Sequence, residues 1–222
     1  MKVLVATGNR HKFREIRAIL RVPHMQLFSL WEVADPPEVV EDGATFEENA
    51  VLKAAALARF TGCWTLADDS GLEVDCLGGE PGVWSARYAG LPANDGANNA
   101  RLLARMGDVT DRGARFRCVI ALADPGGVAQ TVSGACPGRV LTALRGTHGF
   151  GYDPLFVPDG HDQTFAELDS SIKNRISHRA RALDAALRAW AGFLATEGCL
   201  EGMTHFRLSG KAAFCSIPGS LA

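Results

Sequence analysis

The chain has 222 residues, 47% of them apolar and 22% charged, with a formal net charge of −2. That composition fits one packed core, or two lobes sharing a sheet, and excludes a wholly disordered polypeptide. A near-neutral chain lacks the positive footprint of a protein that tracks a nucleic-acid backbone, so no nucleic-acid partner is expected and a small molecule is.

No apolar stretch approaches the roughly 20 residues needed to cross a bilayer, so no membrane role is expected. Six cysteines are spread along the chain without a C-x-x-C pair or metal-ligand spacing, and the start shows no secretory h-region. They read as small core hydrophobes in a reducing cytoplasm.

In chain order, Lys2 to Ala6 is a continuous apolar run, and Phe13, Ile16 and Leu20 then recur at helical spacing, which predicts strand, loop, helix. Residues 25–30 form a second short strand candidate. Thr45 and Glu48 make a capping box for an alanine-rich helix running to about Phe60. Residues 64–67 read as a strand ending at Asp68-Asp69-Ser70-Gly71, with residues 72–77 continuing as strand after that turn. A glycine-rich loop follows at residues 78–90, and Leu102, Leu103 and Met106 mark another helix. Residues 114–123 and 128–134 flank the turn Asp124-Pro125-Gly126-Gly127, a hairpin. Residues 147–158 read as a loop. Ser177 is placed to cap a last amphipathic helix carrying Leu183, Leu187, Trp190 and Leu194. The predicted whole is α/β, a mixed sheet with helices on its faces.

Several stretches carry chemistry. Thr7, Gly8 and Asn9, followed by Arg10, His11 and Lys12, join a buried strand to a helix start. Unpaired N–H groups and the helix dipole there make a phosphate site, or the stretch is a solvated basic turn. The Walker spacing is absent. Asp68 and Asp69 repel each other at a strand end unless they hold a cation or a proton; on extended backbone they face opposite ways, so one acts and the other supports. The alternative is an Asx-type turn. Glu41 and Asp69 together would suffice for Mg²⁺, which often takes one or two carboxylates and completes its shell with phosphate oxygens; taken singly, Glu41 reads as a solvated loop acid and Lys53 as part of a solvated helix face. The loop from Gly149 to Pro154 offers Phe150 as a stacking ring and Asp153 as a polar partner, or both simply pack. Lys173, His178 and Arg179 set positive charge about a helix start, the wrong sign for its dipole, which points to a ligand, or the cluster is a solvated face.

Taken in series, TGNRHK, EDGATFEENA with Lys53, ADDSGLEVDCLGGEPGVWSARYAG, GFGYDP and ISHRARAL resemble the inosine triphosphate pyrophosphatase family over about residues 1–195. The resemblance implies an elongated mixed sheet flanked by helices, two lobes with a central cleft, and a cytoplasmic homodimer. It also implies Mg²⁺-dependent hydrolysis of ITP, dITP and XTP to the monophosphate and pyrophosphate. Carried over by motif, Thr7, Gly8, Asn9, Arg10, His11, Lys12 and Lys53 hold the triphosphate, Asp69 is the proton acceptor, and Glu41 and Asp69 bind the metal. Ser70 touches substrate, and Phe150, Gly151, Tyr152, Asp153, Lys173, His178 and Arg179 build the nucleoside pocket. The catalytic domain is expected over residues 1–196, with residues 197–222 an extension. His148 stands where many members carry a small residue.

Overall fold

A computed structural model describes residues 1–195; the expected extension lies outside the described residues. The elements begin with β1 (Lys2–Ala6), α1 (Arg10–Ile19), β2 (Gln26–Ser29), α2 (Phe46–Thr61) and β3 (Trp64–Val74). They continue with α3 (Asp95–Met106), β4 (Gly113–Ala123), β5 (Ala129–Val140), β6 (Phe156–Pro158), α4 (Ser170–Ile176), α5 (His178–Ala189) and α6 (Ala191–Ala195). One six-stranded mixed sheet runs β2-β1-β3-β4-β5-β6, with β1 parallel to β2 and β3 and the remaining pairs antiparallel.

Strand alternation divides the first lobe into two cores. Leu4, Ala6, Ala67, Val119 and Ala121 face α2, which returns Phe46, Ala50, Ala54 and Leu57. Val3, Val5, Leu66, Cys118 and Ile120 face the opposite way, onto Ile16 of α1 and Ala182, Leu183 and Ala186 of α5. Both faces are covered, which explains why β1 reads as an unbroken apolar run. The far halves of β3 to β5 build a second lobe with Leu102 and Met106 of α3 and with Tyr152, Phe156 and Phe165.

The capping box forms as expected: Thr45 Oγ1 accepts the Glu48 N–H, and the Glu48 carboxylate accepts the Thr45 N–H. α2 ends at Gly62, whose φ of 66° is the left-handed geometry that favours glycine. Ser177 caps α5 by accepting the Ala180 N–H.

Several expectations need correction. Asp68 to Gly71 is not a turn: β3 passes straight through it, paired with β4 from Thr65 to Val74. Residues 75–77 form a 3-10 turn instead of more strand. The end of the expected loop at 147–158 forms β6. The last helix breaks at Trp190 into α5 and α6. α4 went unread because seven residues are too few to show a period. Cys118 and Cys136 are buried free thiols, but Cys76 is exposed rather than a core residue. No helix among the described residues is long and apolar enough to cross a membrane.

Candidate active site

β1 stops at Ala6, opposite Ala67, while β3 runs on to Val74 with β4 beside it. From Asp68 onward, β3 therefore lacks a strand on its β1 side, and a cavity of about 480 Å³ opens there. Alternation decides what each aspartate meets. Asp68 lies on the Leu66 face, toward α1 and α5, and Asp69 on the Ala67 face, toward α2. Asp68 accordingly bonds Arg179 of α5 and Lys12 of α1, whereas Asp69 pairs with Lys53 of α2. Only Asp69 lines the cavity, as extended backbone requires.

At one end of the cavity lie Thr7, Gly8, Asn9 and Lys12. The loop satisfies much of its own backbone. Thr7 Oγ1 accepts the Asn9 N–H at 3.1 Å, and Asn9 Oδ1, the N-cap, accepts those of His11 and Lys12. Among the described residues, the N–H groups of Gly8 and Arg10 have no such partner. A Cβ built on Gly8 would meet no atom within 4 Å, so open space begins at this residue. Lys12 points inward to Asp68 Oδ1 at 2.6 Å. Arg10 and His11 do not line the cavity. The Arg10 guanidinium lies over the Trp31 ring at 4.9 Å, and the His11 ring stacks on Phe150 at 5.2 Å.

Beside this loop, Lys53 Nζ donates to Glu41 Oε2 at 2.9 Å and to the Asp68 carbonyl at 2.9 Å, and lies 3.4 Å from Asp69 Oδ1. Two carboxylates thus converge on one cation. Asp69 Oδ2 is buried with no hydrogen-bond partner. Burial pushes the Asp69 carboxyl above its ordinary range, although Lys53 and Lys12 pull the other way. Among the described residues, no group of three or more acidic, histidine or cysteine side chains forms a cluster for a metal. A buried oxygen without a partner beside a second carboxylate nevertheless fits Mg²⁺, which can draw its other ligands from phosphate and water.

Next to Lys12, and sharing Asp68 with it, lies a chain of buried ion pairs. Arg179, without exposed surface, donates Nε to Asp68 Oδ2 at 2.8 Å, Nη2 to Ser70 Oγ at 2.9 Å, and Nη1 to Glu15. Ser70 in turn donates to Asp68 Oδ1 at 3.0 Å. Lys173 bridges Glu15 at 2.8 Å and Asp153 at 2.5 Å. Burial alone would raise Asp68 and Glu15. Arg179, with Lys12 for Asp68 and Lys173 for Glu15, overrides it and holds both below their ordinary range, Asp68 well below. Asp153, also accepting the Phe150 N–H at 2.9 Å, stays raised because burial dominates.

These pairs correct one expectation. The positive charge near the start of α5 is answered by internal carboxylates, and His178 adds none. Burial, with Arg179 and Lys173 nearby, keeps its imidazole neutral, its pKa far below normal. His178 stacks on Phe116 at 4.7 Å, and its Nδ1 is buried without a partner. Phe150, Gly151, Tyr152 and Asp153 line the same cavity as Lys173, His178 and Arg179. The Tyr152 hydroxyl is used internally, donating to the Ser85 carbonyl at 2.9 Å.

Sequence reasoning missed Glu15, which looks like an ordinary helix acid but lies three residues after Lys12, on the same side of α1. It also missed Arg87, which lines the cavity and donates to the Glu41 carbonyl at 2.9 Å. Its signal was a lone arginine in the glycine-rich stretch. Cys118, which donates its thiol to Asp68 at 3.0 Å, left none.

Comparison with known proteins gives this arrangement its relatives. A dITP/XTP pyrophosphatase of Desulforamulus reducens is 52% identical over 189 residues, covering 84% of this chain and 94% of the relative. One of Geobacter sulfurreducens is 54% identical over 184 residues, covering 82% and 92%. The structure of the Staphylococcus aureus Ham1 protein superposes with a TM-score of 0.78 at 38% identity, covering 87% of this chain and all of that one. The Ham1 family model matches residues 3–189, and the chain belongs to the Ham1 family.

Proposed function

We propose that the protein hydrolyses the non-standard purine nucleoside triphosphates ITP, dITP and XTP to the monophosphate and pyrophosphate, removing them from the nucleotide pool. One observation carries this reading. A single cavity joins a glycine-bearing loop that ends in Lys12, the Lys53 ammonium, a raised carboxylate and an aromatic, hydrogen-bonding wall, and relatives at about half identity are named dITP/XTP pyrophosphatase.

In this reading the triphosphate lies along Thr7 to Lys12 and Lys53, with Gly8 giving the chain room to approach and the two ammonium groups balancing charge on the leaving pyrophosphate. Asp69, whose carboxyl holds a proton more tightly than usual, takes the proton from the attacking water, and the α-phosphorus is the centre attacked. Glu41 and Asp69 would hold Mg²⁺, which supplies charge neutralisation at phosphate oxygens when bound. Substrate and ion would then replace Lys53 as the partners of these carboxylates, freeing its ammonium for phosphate.

Selectivity follows from the base edge. Hypoxanthine and xanthine carry an oxygen at C6, and adenine an amino group. His178 Nδ1, buried without a partner, is the group left to be satisfied there, with Arg179 as a fixed positive charge behind it. A mismatched buried group costs about 1–3 kcal/mol, or about 5- to 150-fold in discrimination. Residues 1–196 make the catalytic unit in this proposal. The protein acts in the cytoplasm as a homodimer, for which exposed Trp84 and Leu91 offer apolar surface.

The test is hydrolysis of ITP, dITP and XTP beside GTP and ATP, with and without Mg²⁺, with products identified. Metal-dependent release of pyrophosphate, fastest from the first three, is expected. Release of orthophosphate, or equal rates on ATP, would overturn the reading.

A further inference from the structure

α3 begins with Asp95, Gly96, Ala97, Asn98 and Asn99, and only Asp95 of these lines the cavity. Its polar side chains nevertheless end on two cavity loops. Asp95 Oδ2 accepts the Gly151 N–H at 2.7 Å, and Asn99 Nδ2, one helical turn later, donates to the Gly151 carbonyl at 3.0 Å. Both backbone polar groups of one glycine are therefore held by a single helix face. Gly151 has φ +61° and open space where a Cβ would be, so it serves backbone conformation rather than packing. Phe150 and Tyr152 flank it, and Asp153 closes the same turn through the Phe150 N–H.

Asn98 acts on the other loop. Its Oδ1 accepts the Ala89 N–H at 2.7 Å and its Nδ2 donates to the Ala86 carbonyl at 3.0 Å, bracketing Arg87. Asn99 is buried and leaves Oδ1 without a partner. Such an amide costs stability; its contribution lies in where it holds Gly151.

We propose that Asp95 and Asn99 are positioning residues for nucleobase recognition. They fix Gly151, and through it the Phe150 ring and the Asp153 carboxylate, against the wall made by Lys173 and His178. Asn98 separately sets the loop that carries Arg87 toward the carboxylate end. The proposal rests on reading Phe150 to Asp153 as the nucleoside end of the cavity.

The experiment compares two inhibitors of the full-length enzyme. Inosine monophosphate needs the base pocket, and tripolyphosphate needs only the phosphate end. Asn99→Ala and Asp95→Ala are expected to weaken inosine monophosphate by about 10-fold, the scale of one or two lost hydrogen bonds. Tripolyphosphate should stay within about 2-fold, and the ITP over GTP ratio of kcat/KM should fall. Asp95→Asn keeps an acceptor oxygen and should restore nearly wild-type binding. Parallel weakening of both inhibitors, or no change in either, would overturn the proposal. Asp95 is exposed, so its variants give a folded test even if Asn99→Ala does not fold. A wild-type enzyme blind to inosine monophosphate would instead remove the underlying assignment of the nucleoside end.

Discussion

The Arg179 guanidinium and the Asp68 carboxylate are paired in the interior, Nε to Oδ2 at 2.8 Å, with side-chain exposures of 1% and 0%. Breaking a buried pair typically costs about 3–5 kcal/mol, but Asp68 keeps Lys12 and Glu15 keeps Lys173 when Arg179 is lost. Arg179→Met should therefore lower unfolding free energy in urea by somewhat less than that, about 2–3 kcal/mol. A loss under about 1 kcal/mol would show that Arg179 is not a structural counter-ion. The same pairing governs how selectivity is tested. Arg179→Ala should reduce the preference for ITP over ATP, and the rates must be taken at a temperature where the variant is folded.

Lys53 is the strongest influence holding down the Asp69 pKa, and burial, which is stronger still, leaves that carboxyl raised. Lys53→Met should lift it further, because the nearest opposing charge is gone. A base must be unprotonated to accept a proton, so activity falls as pH drops through its pKa; the acid limb of kcat/KM should move to higher pH in the variant. Asp69→Asn should lower kcat by at least about 100-fold. A limb that stays put, or shifts downward, would assign it to another group.

Much of the first lobe was legible because its signals are local. The apolar run of β1, the Thr45 and Glu48 box and the Asp124 to Gly127 turn each lie within a few residues. Asp68 to Gly71 was not legible. Its carboxylates look like a turn until their counter-charges are known, and Arg179 is 111 residues away in sequence. Glu15 escaped for the same reason, since a buried ion pair looks like two surface charges until the helices that bring them together are placed; Arg87 escaped because its partner is a backbone carbonyl, that of Glu41, 46 residues away in sequence. The site motifs did converge on one cavity, except that Arg10 and His11 turn aside to Trp31 and Phe150.

Gly8 lines the cavity with open space at its Cβ and is not among the glycines of positive φ. Gly8→Val should therefore fold normally, with an unchanged melting temperature, yet obstruct the phosphate end. A displacement of about 1 Å there can cost about 100-fold in kcat/KM. Unaltered kinetics in this variant would place the phosphates elsewhere, and a large fall in melting temperature would give Gly8 a structural role.

His178 makes acid sensitivity a measurable property of the fold. Its imidazole is neutral in the native state, its pKa depressed chiefly by burial and further by Arg179 and Lys173. In the unfolded chain it titrates near about 6.5. Between those two values the unfolded state binds a proton that the native state does not. Stability is therefore full above about pH 6.5 and is lost as pH falls, by up to about 1.4 kcal/mol per unit from this group. The raised carboxyls of Asp69 and Asp153 act in the opposite direction, gaining native stability on acidification between their unfolded and folded pKa values. Comparing variants cancels them. His178→Gln cannot titrate, so its unfolding free energy should fall less steeply than wild type between pH 6.5 and 5, whatever its offset at pH 8. Parallel curves over that range would mean that His178 already accepts a proton in the folded protein, and its neutral role in the pocket would have to be abandoned.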